Sequence, residues 1–289
     1  MKPAPFDYVA PTTVDEACKA LDEAGGGATV LAGGQTLMPL LNLRMSQPFI
    51  LVDINQIAEL NGVSRISGGI RLGPSTRQSE AITSDILAQD LPVLVQAVKH
   101  VGHHQTRNRG TVGGSIALGE PAAELPATAV ALGATIEVRS VRGSRQILAE
   151  EFYLGPYMTV LEPDELVTGI TFPEWPKGHI TVFNELAQRP GDFALVGMVG
   201  ALVVESDKIV RAGLAWFGMG PTPMKMRAVE GMLIGKSLSE IDYQALAESA
   251  IADTAPFDDQ HTSAEYRRTV GKRIFARTLR DALTTGEIA

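Results

Sequence analysis

Two glycine pairs constrain the fold of this chain more than any other feature of its sequence. The first glycine segment is Ala32-Gly33-Gly34-Gln35-Thr36, directly after an apolar run, and the second is Thr111-Val112-Gly113-Gly114-Ser115. Glycine allows positive φ angles and lets another group approach the backbone closely. Each segment therefore predicts a tight turn or a helix start whose N–H groups point to one side, a geometry that suits phosphate oxygens.

The pattern alone leaves two interpretations of these segments open. The chain contains 29 glycines among 289 residues, so both pairs can be ordinary turns. Alternatively, the two segments embrace one long diphosphate ligand. In that case Gln35, Thr36, Thr111 and Ser115 supply side-chain donors and acceptors beside the backbone.

Other nucleotide-binding patterns fit the sequence less well. No G-x-G-x-x-G stretch follows a first predicted strand. Residues 231–237 resemble a P-loop, but three residues separate the glycines instead of four, and the segment follows a predicted helix. We expect a helix end with an exposed lysine there.

The hydrophobic pattern predicts an N-terminal α/β region and a smaller C-terminal domain with an antiparallel sheet and helices. The segment 172–178 contains two prolines and a glycine and marks the boundary, which gives domains 1–175 and 178–289. The fold class is α+β. Predicted helices are 13–24, 37–43, 76–90, 92–101, 121–132, 223–233, 240–252 and 263–285, and predicted strands are 28–32, 49–54, 69–74, 135–139, 180–185, 194–204 and 209–217, with a turn at Asp207-Lys208.

Composition excludes several classes of function. The net charge is 25 minus 33, or −8, which disfavours nucleic acid as a partner. The single cysteine, Cys18, forms no internal disulfide and cannot hold an iron–sulfur cluster, which usually takes about four thiolates. The N-terminus lacks an apolar signal core, and no uncharged apolar run approaches the roughly 18 residues that span a bilayer. We expect a soluble, cytoplasmic protein with no membrane insertion.

The remaining polar groups offer little chemistry of their own. His100, His103 and His104 have helical spacing, but Gly102 interrupts them, so a polar helix end competes with a metal site. The basic stretch 107–109 suits a diphosphate, a partner's carboxylates or solvent. We find neither a serine–histidine–acid set nor a paired-carboxylate motif. The sequence therefore predicts a protein that positions a cofactor, with no catalytic or metal-ligating residues.

Several separated segments resemble one known family. The first glycine segment followed by Leu37 is similar to that family's first flavin loop, and the stretch 106–115 is similar to its second. The family is that of the FAD-binding medium subunits of molybdenum hydroxylases, which includes the carbon monoxide dehydrogenase medium subunit and the flavin domain of xanthine dehydrogenases. Further matching stretches are 121–126, 189–194 and 263–268, so the resemblance covers essentially the whole chain.

The resemblance implies a fold and a site. Residues 1–175 would form the vanillyl-alcohol-oxidase-like (PCMH-type) FAD-binding region, with two α/β subdomains. Glu124 matches a family acid that contacts the flavin, and Phe193 is the candidate aromatic residue beside the isoalloxazine. The implied cofactor-binding residues are Ala32, Gly33, Gly34, Gln35, Thr36, Leu37, Thr111, Gly113, Gly114, Ser115, Glu124 and Phe193.

The resemblance also implies partners. A large subunit would hold the molybdenum cofactor and hydroxylate the substrate, and a small subunit would hold two-iron two-sulfur clusters. FAD on this chain would take the electrons and pass them to an external acceptor. The complex would be a dimer of heterotrimers.

Two departures and two alternatives accompany this interpretation. Thr36 replaces the family's usual serine, and Ala117-Leu118-Gly119-Glu120 replaces Ala-His-Ala-Asp, which puts details of flavin tuning or partner contact in doubt. One alternative is a free-standing FAD-dependent oxidoreductase with its own substrate site. The other is an assembly subunit that has lost FAD, against which the intact glycines and hydroxyls argue.

Overall fold

The computed structural model describes residues 1–285, so residues 286–289 of the predicted second domain lie outside the described part. The strands are β1 Asp7–Val9, β2 Ala28–Leu31, β3 Ile50–Asp53, β4 Val63–Ile66, β5 Gly69–Leu72, β6 Thr135–Ser140, β7 Gly143–Leu148, β8 Tyr153–Gly155, β9 Met158–Thr159, β10 Leu166–Pro173, β11 Ile180–Ala187, β12 Ala194–Glu205, β13 Lys208–Phe217 and β14 Met224–Lys225.

The helices alternate with the strands in the first half and follow them in the second. They are α1 Val14–Glu23, α2 Leu37–Asn42, α3 Gln78–Thr83, α4 Asp85–Asp90, α5 Pro92–His100, α6 His104–Arg109, α7 Val112–Leu118, α8 Glu124–Leu132, α9 Ala149–Phe152, α10 Arg227–Leu233, α11 Tyr243–Ala252 and α12 Ala264–Thr285. Among residues 1–285, none of the helices has the length and apolar character needed to cross a membrane.

The chain begins with a small parallel sheet in the order β1-β3-β2, covered by α1. Thr13 caps α1 in the predicted capping box with Glu16. The buried side chains of α1 recur at helical spacing, so one apolar stripe faces the sheet. These side chains are Val14, Ala17, Cys18 and Leu21.

A five-stranded antiparallel sheet follows, in the order β4-β5-β10-β6-β7. The antiparallel sheet β11-β12-β13-β14 comes next. Successive side chains of its strands point to opposite faces of the sheet, so each strand contributes side chains to two cores. Val196 and Met198 face the helices α10 to α12, whereas Val199 and Ala201 join the core around α5 and α8. Every residue of α8 is buried, since this helix lies against the C-terminal sheet.

Some predicted elements are wrong in detail. The predicted helix 76–90 is broken at Ser84, which has ψ 116° and caps α4 by accepting a hydrogen bond from the Leu87 N–H. The helix predicted from residue 223 begins at Arg227, because Met224–Lys225 pairs with β13. The turn between β12 and β13 lies at Ser206 and Asp207, which have positive φ angles, and Lys208 already belongs to β13.

Candidate functional site

The two glycine segments meet in space. A Cβ atom on Gly33 would lie 2.5 Å from the Arg109 carbonyl oxygen, 2.8 Å from the Gly110 Cα and 3.0 Å from the Thr111 nitrogen. Only glycine fits at such a contact between two backbones. The two segments are therefore in direct backbone contact, which a ligand shared between them requires.

The first segment offers a row of free donors. Gly34 has φ +71°, as the predicted tight turn requires. Within residues 1–285, the backbone N–H groups from Gly33 to Leu37 donate no hydrogen bond. The exposed Gln35 side chain donates to the Gly33 carbonyl at 3.2 Å and so stays beside this row. Successive free N–H groups of this kind form a concavity that binds oxygen anions.

The second segment forms a helix start, which is one of the two geometries that its glycines predict. Gly113 and Gly114 lie in the first turn of α7, without positive φ angles. Thr111 caps this helix by accepting a hydrogen bond from the Gly114 N–H at 3.0 Å. Gly113 is required because a Cβ there would lie 2.3 Å from the Pro74 Cβ. Close packing, not turn geometry, explains this glycine pair.

A polar network that sequence analysis missed fastens the two segments together. The Asn55 side chain donates to the Ala32 carbonyl at 2.9 Å. Arg77 donates through Nη2 to Asn55 Oδ1 at 2.6 Å and through Nη1 to the Arg109 carbonyl. Asn55 follows β3 at the edge where parallel strands end, which is a detectable signal for a site residue.

The carboxylate of Asp53 extends this hydrogen-bond network. Asp53 accepts hydrogen bonds from the Tyr8 hydroxyl at 2.6 Å and from the Asn55 N–H at 2.9 Å. Although burial opposes ionisation, these bonds lower the pKa of Asp53. The ionised carboxylate thus holds Asn55 in place beneath the first glycine segment.

Glu124 is the first residue of α8 and is 5% exposed. Burial first, and then the charges of Glu185 and Glu120, raise the pKa of Glu124 to about 8. Within residues 1–285, no other residue donates a hydrogen bond to its carboxyl group. A buried carboxyl group with so few partners fits contact with a polar ligand.

Two further acids lie near Glu124, and sequence analysis assigned no role to either. Glu120 accepts hydrogen bonds from the Tyr157 hydroxyl and, at 3.0 Å, from the Ala122 N–H. Glu185 is a strand residue of β11, and burial raises its pKa to about 7. No sequence motif marks this glutamate, since only the folding of β11 against α5 brings it here.

The structure places Phe193 in the turn between β11 and β12, where its ring is 60% exposed. Gly191 in the same turn has φ +88° and lies against His103 at the start of α6. The turn therefore contacts the helix that leads into the second glycine segment. An exposed aromatic ring at that position can stack on a planar ligand.

The other sequence candidates have different roles. His100 ends α5, whereas His103 directly precedes α6, so the three histidines do not share one helix face. Arg107 donates to the carbonyls of Val101 and Gly102, both at 2.9 Å, and stabilises this turn. The lysine of the P-loop-like segment, Lys236, is exposed after the end of α10, as expected.

The residues present fit FAD. A row of free N–H groups matches the diphosphate, Thr36 adds a hydroxyl within that row, and the buried carboxyl of Glu124 suits a polar ring or ribityl group. A groove of about 580 Å³ between α11 and α12 is lined by several cations, but it lies on the other face of the C-terminal sheet. It contains none of the residues assigned to the site.

Comparison with known proteins agrees with this geometry. A family described as FAD binding domain in molybdopterin dehydrogenase matches residues 4–175, and the CO dehydrogenase flavoprotein C-terminal domain matches residues 181–282. The class defined by fold and site is thus the flavoprotein subunit of an oxidoreductase. The chain belongs to the family of FAD-binding medium subunits of molybdenum hydroxylases.

Individual relatives match along the whole chain. The 6-hydroxypseudooxynicotine dehydrogenase complex subunit alpha of Paenarthrobacter nicotinovorans is 38% identical over 98% of this chain and 96% of its own. The carbon monoxide dehydrogenase medium chain of Hydrogenophaga pseudoflava is 34% identical over 98% of each chain.

A solved carbon monoxide dehydrogenase from that organism superposes with a TM-score of 0.95 at 34% identity, over 98% of this chain and 99% of that one. Quinoline 2-oxidoreductase from Pseudomonas putida 86 gives a TM-score of 0.93 at 32% identity, over 99% of each chain. The expected fold class is confirmed.

Proposed function

We propose that this chain binds one FAD across its two glycine segments and relays electrons from the iron–sulfur clusters of a partner subunit to an external acceptor. The observation that carries the proposal is the contact between the segments, with free N–H groups from Gly33 to Leu37 beside it. A diphosphate needs such a set of fixed donors, and the family membership identifies the dinucleotide as FAD.

Each group of site residues has a separate task in this proposal. The backbone of the two glycine segments binds the diphosphate, and the hydroxyls of Thr36 and Ser115 bind diphosphate or ribityl oxygens. Glu124 contacts a polar group of the flavin, and the Phe193 ring covers the isoalloxazine. The full set is Ala32, Gly33, Gly34, Gln35, Thr36, Leu37, Thr111, Gly113, Gly114, Ser115, Glu124 and Phe193.

In this proposal the residues of this chain position the bound FAD and set the electrostatic environment around it. Bound FAD accepts electrons singly and releases them in pairs, which suits it to link one-electron clusters with a two-electron acceptor. The network through Asn55 and Arg77 keeps the two segments at a fixed separation. Buried acids near Glu124 set the local potential and can hold protons. None of these groups needs to act on the organic substrate.

The partners in this proposal are a large molybdenum-cofactor subunit and a small two-iron two-sulfur subunit, assembled as a dimer of heterotrimers in the cytoplasm. Relatives named as medium chains or complex subunits support it. The single cysteine of the chain, Cys18, is buried, and its thiol contacts the Arg139 carbonyl at 3.5 Å inside the N-terminal core. Because one buried thiol cannot hold an iron–sulfur cluster, the clusters belong to a partner subunit in this proposal. In this arrangement residues 1–175 form the FAD-binding domain, and residues 178–289 form the second domain, which contributes Phe193 to the site.

Rapid mixing tests the direction of electron flow. The flavin-loaded chain is mixed anaerobically with the reduced iron–sulfur subunit, and flavin absorbance is followed. We expect bleaching within the turnover time of the complex, and no bleaching when the organic substrate is added to this chain alone. Flavin reduction by the organic substrate without partners would instead support a free-standing oxidoreductase.

A further inference from the structure

Arg267 belongs to the stretch 263–268, which matches the family in sequence but has no task in the proposed function. It is the fourth residue of α12, and its side chain is 4% exposed. A cation so close to the start of a helix is unfavourable for the helix itself, because that end already carries partial positive charge. Contacts with other parts of the fold therefore account for this buried guanidinium group.

The guanidinium group joins two backbone segments and a carboxylate. Its Nη1 donates hydrogen bonds to the carbonyl of Gly218, at 2.9 Å, and to the carbonyl of Leu195. Its Nη2 donates to Asp259 at 2.5 Å, and this ion pair compensates the buried charge. Because a planar guanidinium group holds several acceptors at fixed geometry, Arg267 fixes the turn after β13 against the beginning of β12.

The bond to Leu195 fixes the backbone that carries Phe193. Leu195 is the second residue of β12, and Phe193 stands two positions earlier, in the turn before this strand. The Phe193 ring is 60% exposed. A ring that is so exposed has little packing of its own, so the position of its backbone decides where it lies.

The bond to Gly218 leads to the start of α8. The Gly218 N–H donates to the Pro121 carbonyl at 2.9 Å, and Pro121 precedes Glu124 by three residues. Gly218 has φ +72°, and a Cβ there would lie 2.9 Å from the Leu195 carbonyl oxygen. Only glycine fits between these segments, so one residue connects the Phe193 turn with the segment that leads into Glu124.

We propose that Arg267 is a positioning residue of the flavin site. Through Leu195 and Gly218 it holds the Phe193 turn and the start of α8 at the separation that the isoalloxazine needs. This inference rests on the proposed function and goes beyond it, because α12 packs on the face of the C-terminal sheet that is turned away from α8. The surroundings of bound FAD should then change when these hydrogen bonds are altered, even in a chain that stays folded.

Arg267→Lys tests the proposal, because lysine keeps a positive charge beside Asp259 but lacks the planar group that reaches two carbonyls. Circular dichroism establishes that the variant is folded. We expect its affinity for FAD to fall by about tenfold, with an altered absorption spectrum and a shifted midpoint potential of bound FAD. A folded variant with the affinity, spectrum and potential of wild type overturns the positioning role.

The matched control is Arg211→Lys on β13. Arg211 also fixes a backbone carbonyl, that of Glu174 at 2.7 Å. It lies seven residues before Gly218, which is about 23 Å along an extended strand. The three flavin readouts should therefore stay as in wild type, and a change equal to that in Arg267→Lys would overturn the specific role of Arg267.

A second measurement uses the wild-type chain, so it does not depend on the folding of a variant. Amide hydrogen exchange is compared with and without FAD. If breaking the contact of Gly218 with Pro121 displaces the flavin contacts, the opened state binds FAD more weakly, and FAD must slow exchange at the Gly218 N–H.

The exchange pattern separates this inference from the proposed function. We expect FAD to protect both residues 33–37 and Gly218. Protection of residues 33–37 without protection of Gly218 overturns the positioning role and leaves the proposed function standing. A folded chain that binds no FAD overturns both.

Discussion

At the scale of single residues, the site depends on Gly33, where the two backbones leave no room for a side chain. A Cβ there would meet the Arg109 carbonyl oxygen at 2.5 Å, and neither backbone can move without disturbing its own segment. The free N–H groups from Gly33 to Leu37 keep their position against the second segment only while this contact is kept.

Replacing Gly33 by alanine tests this dependence. Gly33→Ala should separate the segments and weaken FAD binding by about tenfold or more, equivalent to ~1.4 kcal/mol. Flavin fluorescence quenching measures the Kd. The control is Gly231→Ala on α10, where a Cβ meets nothing within 4 Å and binding should be unchanged. Equal FAD affinity in Gly33→Ala and wild type would contradict the diphosphate assignment.

Glu124 makes stability depend on pH in a predictable direction. Its pKa is about 8 in the folded chain against an ordinary 4.5, so the folded state holds this proton more tightly than the unfolded state. Its contribution to stability is fully present below the ordinary value and is lost as pH rises through the folded pKa. The loss is limited to about 1.4 kcal/mol per pH unit.

Thermal unfolding of the flavin-free chain checks this dependence. Between mildly acidic pH and about pH 8, the Tm of wild type should fall more than that of Glu124→Gln. The smaller fall that remains in the variant comes from Glu185, whose raised pKa acts in the same direction. Parallel Tm curves for the two proteins would show that Glu124 is not protonated in the fold.

At the scale of elements, Arg77 connects three segments of the chain. Its guanidinium group bonds Asn55 at 2.6 Å and the Arg109 carbonyl, while Asn55 bonds the Ala32 carbonyl at 2.9 Å. A planar guanidinium can reach two acceptors at fixed geometry, whereas an ammonium group acts as a single point charge.

Removal of the Arg77 side chain should therefore loosen the flavin loops without unfolding the chain. We expect Arg77→Ala to weaken FAD binding by about tenfold, ~1.4 kcal/mol, and Arg77→Lys to recover only part of it. Circular dichroism establishes that the fold is retained, and flavin titration measures the affinity. An unchanged Kd in Arg77→Ala would show that this hydrogen-bond network does not contribute to FAD binding.

Helix α8 is the element that both halves of the chain share. Gly213 on β13 lets α8 approach the C-terminal sheet, because a Cβ there would lie 2.4 Å from the Ala131 carbonyl and 3.0 Å from the Trp175 ring. Trp175 also donates to the Leu132 carbonyl at 3.4 Å, and the Arg211 guanidinium lies 3.8 Å above its ring. The packing of helix on sheet is thus fixed by one small residue and one large one.

Adding a methyl group at Gly213, between α8 and the sheet, should destabilise the chain. Gly213→Ala is expected to lower the free energy of unfolding by about 1–3 kcal/mol, since the helix must shift to admit a methyl group. Urea unfolding followed by tryptophan fluorescence measures the change. Gly155→Ala is the control, because its Cβ meets only the Met158 sulfur at 3.9 Å. A loss no larger than in the control would show that α8 accommodates the methyl group.

Local sequence was sufficient for some elements and not for others. The capping box of α1 and the continuous apolar run of β12 are visible in the local sequence, so both elements were predictable. The central strand β10 was missed, because it contains Gly169 and ends at Pro173, and its strand state depends on pairing with β5 and β6. Motifs identified the glycine segments, but the proximity of Glu185 to Glu124 exists only in the folded chain.

At the scale of the whole molecule, the family's two sequence regions are joined by one core. Val199 and Phe217 of the C-terminal sheet pack with residues of α5 and α8 in the same cluster. Glu124 lies on α8 and Glu185 on β11, so the two acids belong to the two different regions. Movement between the two parts would therefore change the surroundings of the flavin site directly.

The composition of the purified complex tests the central claim most directly. The gene is expressed with its partner genes, the tagged chain is isolated under native conditions, and FAD, molybdenum and iron are measured per chain. We predict a brown complex of three kinds of subunit with one FAD on this chain and with molybdenum and iron on the others. A stable yellow single chain that oxidises an organic substrate by itself would contradict the account.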